Sequence, residues 1–137
     1  MTRLLVLMGS GETTPTMVST HQRVLAAVGD GPAVVLDTPY GFQENADELS
    51  GRTLEYLAHN VGRVAEVVSL RDAEAVGDVA REVALAAVRE AAWAFAGPGS
   101  PTYLARQWRA AGMPAALAER LGDRDRSTAT VLASAAA

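Results

Sequence analysis

The chain has 137 residues, of which 49% are hydrophobic and 20% charged, with a formal net charge of −4. That is enough apolar content for one ordinary domain with its own core, and the scattered basic residues form no stripe of the kind that nucleic acid or an anionic membrane requires. The absence of cysteine removes disulfides, thiolate catalysis and cysteine-based zinc sites, and the apolar start at residues 4–8 is much too short for a signal-peptide core or a membrane span, so a cytoplasmic protein is expected.

Residues 3–8 form a continuous apolar run ending at Gly9-Ser10-Gly11, the pattern of a strand buried on both faces that meets a loop. Thr14 is placed to cap a helix with Pro15 at its first position, and Met17, Val18, Val24, Leu25 and Val28 then share one face until Gly29-Asp30-Gly31. Residues 32–36 read as the second strand. After the loop Asp37-Thr38-Pro39-Tyr40-Gly41-Phe42, a helix over about residues 45–60 carries Leu49, Tyr56 and Leu57 and closes at Gly62. A third strand lies within residues 64–70. A turn or short helix at 71–77 leads into an alanine-rich helix at 79–91, with Asp78 as its cap.

The fourth strand is expected at residues 92–96. The loop Gly97-Pro98-Gly99-Ser100-Pro101 then opens a helix over 102–111 that bears Tyr103, Leu104 and Trp108. Pro114 starts one more helix, which ends near Gly122, and Asp123-Arg124-Asp125-Arg126 is a solvated connection into a last strand at 128–133. Five short apolar strands alternating with helices predict a single α/β domain: a flavodoxin-like, doubly wound, mostly parallel five-stranded sheet with helices on both faces.

In such a sheet the site lies beyond the carboxyl ends of the strands, so the loops after strands one, two, four and five are expected to share one rim. Those loops hold the unusual residues. Ser134 directly follows the last strand and is flanked by small residues, the outline of a nucleophile elbow, in which a serine on a tight strand-to-helix turn projects its hydroxyl above the sheet. The plainer reading is a serine capping an alanine-rich tail. As a nucleophile it would need a base, an orienting group behind that base, and donors for the oxyanion; backbone amides at Gly97, Gly99 and Ala135 are candidates for those donors.

The base is harder to find. His21 lies on the apolar stripe of the first helix and reads as a packed core or boundary histidine that starts far from the rim. His59 neighbours Glu55 and Arg63 at helical spacing and reads as part of a solvated face. Gly9-Ser10-Gly11 before a helix has the look of a phosphate loop, but Thr14 stands at the third glycine position, there is no P-loop lysine, and Glu12 would repel a phosphate; a tight strand-to-helix turn is the simpler account. Asp37, Glu44, Asp47 and Glu48 have no histidine among them, and acidic residues are favoured at a helix N-terminus anyway, so no metal is expected.

Taken together, the segments Leu7-Met8-Gly9-Ser10-Gly11-Glu12-Thr13, Phe95-Ala96-Gly97-Pro98-Gly99-Ser100-Pro101-Thr102-Tyr103-Leu104 and Leu132-Ala133-Ser134-Ala135-Ala136-Ala137 resemble the class I glutamine-amidotransferase-like superfamily. Within it they resemble the serine peptidase family of cyanophycinase and aspartyl dipeptidase. The resemblance implies a serine nucleophile at Ser134, an oxyanion hole around Gly97 and Gly99 plus Ala135, and substrate contacts from Gly11, Glu12, Thr13, Tyr40 and Ser100. It also implies cleavage of a small peptide or amide through an acyl-enzyme, without a cofactor. Two positions depart from the family pattern: Pro98, which has no N–H, replaces a glycine, and Ala136 replaces the glycine two residues after the serine.

In that family the catalytic histidine and its acidic partner follow the serine. A chain of 137 residues is therefore expected to be a truncated member without appreciable peptidase activity. It should expose apolar surface and a sheet edge open to self-association. The competing readings are a non-catalytic small-ligand-binding or assembly module, and a flavodoxin-like nucleotide or flavin binder.

Overall fold

Each apolar run expected to be a strand is one. In a computed structural model describing all of residues 1–137, the strands are β1 (Arg3–Met8), β2 (Ala33–Leu36), β3 (Glu66–Val68), β4 (Trp93–Ala96) and β5 (Thr128–Ala133). They form one sheet in the order β1-β5-β4-β2-β3, and every neighbouring pair is parallel. Parallel strands need crossovers, and the helices α1 (Val18–Val28), α2 (Ala46–Tyr56), α3 (Gly77–Glu90), α4 (Pro101–Ala111) and α5 (Met113–Gly122) supply them. This is an α/β flavodoxin-like fold. No helix is long and apolar enough to cross a membrane.

The core has two layers because strand side chains alternate between the faces of the sheet. Val35, Trp93, Phe95, Val131 and Ala133 pack on one face with Leu25 and Val28 of α1 and with Tyr56 and Leu57 at the end of α2. On the other face, Leu36, Ala94 and Ala96 meet Leu85 and Val88 of α3, Leu104 and Trp108 of α4, and Met113 and Ala116 of α5. β2 and β4 are buried along their whole length, whereas β1, at the sheet edge, leaves Leu5 52% and Leu7 62% exposed. The pairings Leu5–Thr130 and Leu7–Leu132 place those leucines on the α3–α5 side, so apolar surface and a bare sheet edge occur together at β1.

Helix starts and one helix end differ from the pattern in the sequence. Thr14 precedes a 3₁₀ turn, Pro15–Met17, and makes no capping bond; its hydroxyl donates back to the Gly11 carbonyl (2.7 Å), tightening the loop itself. Asp78 lies inside α3 rather than before it and pairs with Arg81. The helix expected to run to residue 60 becomes a π-turn at Leu57–Val61, closed by Gly62 at φ +91°. Glycine reaches that left-handed conformation without a Cβ clash.

β5 is tied to the α3–α5 layer by a buried arginine. Arg120 on α5 is 2% exposed and has no carboxylate partner among the ion pairs. Its guanidinium instead donates to the carbonyls of Val88 (2.6 Å), Ala91 and Ala129 (2.8 Å) and to Thr130 Oγ1 (3.1 Å), joining the end of α3 to β5. Burial, with Arg126 nearby as a second cation, lowers its pKa to about 10. Replacing it strands buried carbonyls, each worth about 1–3 kcal/mol when left without a donor. Arg120→Met is therefore expected to lower unfolding stability in urea by about 2 kcal/mol or more, and Arg124→Ala on the exposed connection by no more than about 0.5 kcal/mol.

Candidate active site

The sheet register brings three loops together. Met8, the last residue of β1, pairs with Ala133, the last of β5, so the chain leaves both strands side by side, at Gly9 and at Ser134. On the other flank Ala96, the last residue of β4, pairs with Leu132, which sets Gly97 level with Ala133. Ser134 thus emerges between the loop after β1 and the loop after β4. Those loops and the residues after β2 lie at the same carboxyl-terminal edge of the sheet.

Ser134 is the single non-glycine residue with positive φ, at +48°. That conformation costs an L-residue roughly 1–2 kcal/mol, and here it joins the extended Ala133 to a 3₁₀ turn at Ser134–Ala136. A strained strand-to-helix turn of this kind is what lifts a nucleophile above a sheet. The hydroxyl does not cap the tail; no side-chain capping bond forms there. Ser134 Oγ donates instead to Glu12 Oε2 at 2.9 Å, across 122 positions of sequence.

Glu12 is the buried residue of the loop after β1, 5% exposed, while Gly11 and Thr13 on either side are exposed. Its other carboxylate oxygen lies against Gly97: a Cβ added there would stand 3.0 Å from Oε1 and equally close to the Phe95 ring. The Glu12 main chain is fixed from below by His21, whose Nε2 is 2.6 Å from the Glu12 carbonyl oxygen. A carbonyl only accepts, so Nε2 carries the proton and donates it. Tyr56 donates its hydroxyl to the Thr14 carbonyl (2.7 Å), pinning the far end of the same loop.

His21 is thus a core histidine, 1% exposed and boxed edge-on by Tyr56, Trp93 and Phe95. The expectation that it lies far from the rim is corrected: the first turn of α1 folds back beneath the Glu12 loop, so His21 holds the rim from inside the core. Its Nδ1 has no partner. His59 is exposed on the π-turn.

A second junction closes the rim between β2 and β4. The Ser100 amide donates to the Pro39 carbonyl (2.9 Å), and its hydroxyl accepts from the Tyr103 amide (3.2 Å), capping α4. Gly99 adopts φ +146° with Pro39 so close that a Cβ would fall 2.0 Å from the Pro39 oxygen. Among the backbone bonds, neither the Gly97 nor the Gly99 N–H donates to a carbonyl. Tyr40 lies beneath this junction, 3% exposed, with its hydroxyl on Ser50 Oγ (2.7 Å) and its pKa raised by burial, so the rim is offered the Tyr40 backbone rather than the phenol.

The acidic residues after β2 are organised by a cation. Asp37, fully buried, accepts from Ser69 Oγ (2.8 Å), the Leu70 amide (2.7 Å) and Arg71 Nε (3.0 Å), and Arg71 also pairs with Asp47. These contacts with Asp47 and Asp37 raise the Arg71 pKa. Asp37 thereby holds the ends of β2 and β3 together, and Asp47 ties the first turn of α2 to the same arginine.

Two solved structures share this architecture. A peptidase from an acI-B1 Actinobacterium superposes with a TM-score of 0.77 at 19% identity, over 97% of this chain and 54% of its own. A protein assigned to peptidase E from Listeria monocytogenes EGD-e superposes with a TM-score of 0.70 at 13% identity, over 100% of this chain and 61% of its own. The chain has a peptidase-like fold. It spans a little over half the length of these two proteins. No protein-family model and no curated protein matches the sequence.

The rim contact at Gly99 permits a sharp comparison with Gly9, around which a Cβ would meet nothing within 4 Å. Gly99→Ala forces either the Pro39 turn or the Gly99 loop to move and is expected to destabilise by about 2 kcal/mol or more. Gly9→Ala should change stability by no more than about 0.5 kcal/mol. Urea unfolding of the two variants checks both.

Proposed function

We propose that this chain is a peptidase-like domain acting on amide bonds, with Ser134 as the nucleophile that forms an acyl-enzyme. The observation that carries the reading is the backbone of Ser134: a left-handed residue just after the interior strand β5, its hydroxyl bonded to a buried carboxylate. A positive φ on a serine is maintained only where the surroundings over-determine it, and such positions cluster at functional sites. The reading places the chain with the class I glutamine-amidotransferase-like superfamily and its serine peptidases related to cyanophycinase and aspartyl dipeptidase. The two structural neighbours, both described as peptidases, support the same direction.

In this scheme the amides of Gly97, Gly99 and Ala135 receive the developing oxyanion. Pro98 between the glycines contributes none, having no N–H. The exposed Gly11 and Thr13 line the mouth with Ser100, and the substrate is a small peptide or amide. Neither histidine bonds to the serine: His21 donates to the Glu12 carbonyl, and His59 is exposed on the π-turn. Multiple turnover by this chain is accordingly expected to be low, and a reagent that scores a single acylation-like event is the appropriate probe. A serine-directed fluorophosphonate should label the 137-residue protein at Ser134, and Ser134→Ala should abolish labelling. No labelling of the parent protein, or labelling that survives in Ser134→Ala, would contradict the assignment.

A further inference from the structure

The sheet has two free edges, and only one of them is guarded. β3, at one end of the strand order, has three residues and carries the exposed Glu66. β1, at the other end, has six, and from Leu4 to Met8 none is charged, proline or glycine. Proteins ordinarily blunt an exposed edge with a short strand, a charge, a proline or a bulge, because its free backbone groups template a further strand. The direction of those groups follows from the β1–β5 ladder. The Thr128 amide donates to the Thr2 carbonyl, and hydrogen-bonding groups alternate sides along a strand, so Leu4, Val6 and Met8 bond to β5 while Arg3, Leu5 and Leu7 turn theirs outward. Leu5 and Leu7 are also the residues whose side chains stand 52% and 62% exposed. Backbone and side chains of the same two residues thus ask for an extended apolar strand.

We propose that a second copy of this chain supplies that strand. β1 pairs antiparallel with β1 about a two-fold axis normal to the sheet, with Leu5 of each copy opposite Leu7 of the other. A two-fold contact needs one self-complementary patch, and this register provides it: outward groups meet outward groups, Val6 lies on the axis, and all four leucines gather on the α3–α5 face. Charge permits the approach. Arg3, the one charged residue of β1, is drawn back to the Leu121 carbonyl (2.9 Å). On the other face Arg23 lines a recess of about 360 Å³ with Leu4, Thr20 and Val24. Leu4 faces Met8 of the other copy, which sets the two Arg23 side chains about four residues, roughly 13 Å, apart along the strands, beyond the screening length of about 8 Å at physiological salt. Pairing β1 with β3 of a second copy would instead bring Glu66 to the apolar edge and leave a free edge at each end, a head-to-tail contact that does not close. The two-fold pair closes, because it uses each β1 once and leaves only the guarded β3 edges outside. A contact of one strand edge is at the small end of specific interfaces, about 1,200 Å² or less in total, so the pair should depend on concentration.

The proposal rests on the sheet alone and is independent of the assignment of Ser134. Sedimentation velocity of the 137-residue protein from low to high micromolar concentration should show a monomer passing to a dimer and no further. Leu7→Lys, at an exposed position where the monomer fold is untouched, should weaken the dimer about tenfold or more; Val79→Lys, equally exposed on α3, should leave it unchanged. The register is read separately. Residues facing each other in a non-hydrogen-bonded antiparallel pair have Cα atoms about 4.5 Å apart, within the range of about 4.4–6.8 Å that a disulfide spans, and the chain has no cysteine of its own. Val6→Cys should therefore form a covalent dimer on mild oxidation, and adding Leu7→Lys should suppress it. A parent that stays monomeric at every concentration, assemblies that grow beyond the dimer, or a dimer in which Val6→Cys does not cross-link would each overturn the proposal.

Discussion

The last strand in sequence is inserted between β1 and β4, and the rest of the molecule depends on that placement. β5 pairs with β1 through Arg3–Thr128 to Met8–Ala133 and with β4 through Trp93–Ala129 to Ala96–Leu132. Without it β1 has no neighbour, because its only ladder in the strand order is to β5. Parallel pairing of strands this distant in sequence is entropically demanding to close. Two devices hold it: the buried face of Ala129, Val131 and Ala133 against α1 and α2, and the Arg120 guanidinium, which ties Ala129 and Thr130 to the end of α3.

That same insertion produces the site. A strand placed between β1 and β4 must end between their loops, and a register that levels Ala133 with Met8 leaves Ser134 facing the residues after β1. The local energetics are balanced rather than generous. A left-handed serine costs roughly 1–2 kcal/mol, while a hydrogen bond to a charged acceptor contributes about 1.5–3 kcal/mol, less where solvent reaches it. Ser134 is half-buried, so the Glu12 bond and the strain are of similar size. The turn is held because β5, the Glu12 loop and the half-buried Ala136 against the α3–α5 core are each fixed by other contacts. An alanine at 136 packs there.

Much of this is legible in the sequence. The apolar runs of β1, β2, β4 and β5 are long enough to be read as strands, and crossover topology then dictates a shared rim; but β1, whose continuous apolar run predicts burial on both faces, lies at the sheet edge with Leu5 and Leu7 exposed, because it has a neighbour on one side only. What escaped were interactions between residues far apart in the chain. Nothing in the spacing of residues 9–14 says that Glu12 turns inward while Gly11 and Thr13 face solvent, because that depends on Gly97 being small enough to admit it. The apolar stripe of α1 marks His21 as a core or boundary residue, but its role under the rim depends on how sharply the 3₁₀ turn at Pro15–Met17 folds α1 back. Thr14 and Asp78 looked like helix caps, since threonine and aspartate favour those positions, but nearer partners, the Gly11 carbonyl and Arg81, engage them. The close approach of Gly99 to Pro39 likewise involves two loops that meet only in the folded sheet.

The central claim is that the sheet brings Glu12 and Ser134, 122 positions apart, into direct contact. It is tested most directly by a double-mutant cycle on stability, using Glu12→Ala, Ser134→Ala and the double variant in urea unfolding. The account predicts a coupling energy of about 1 kcal/mol between the two positions. Effects that add to within about 0.3–0.5 kcal/mol, the behaviour of residues with no shared contact, would contradict it.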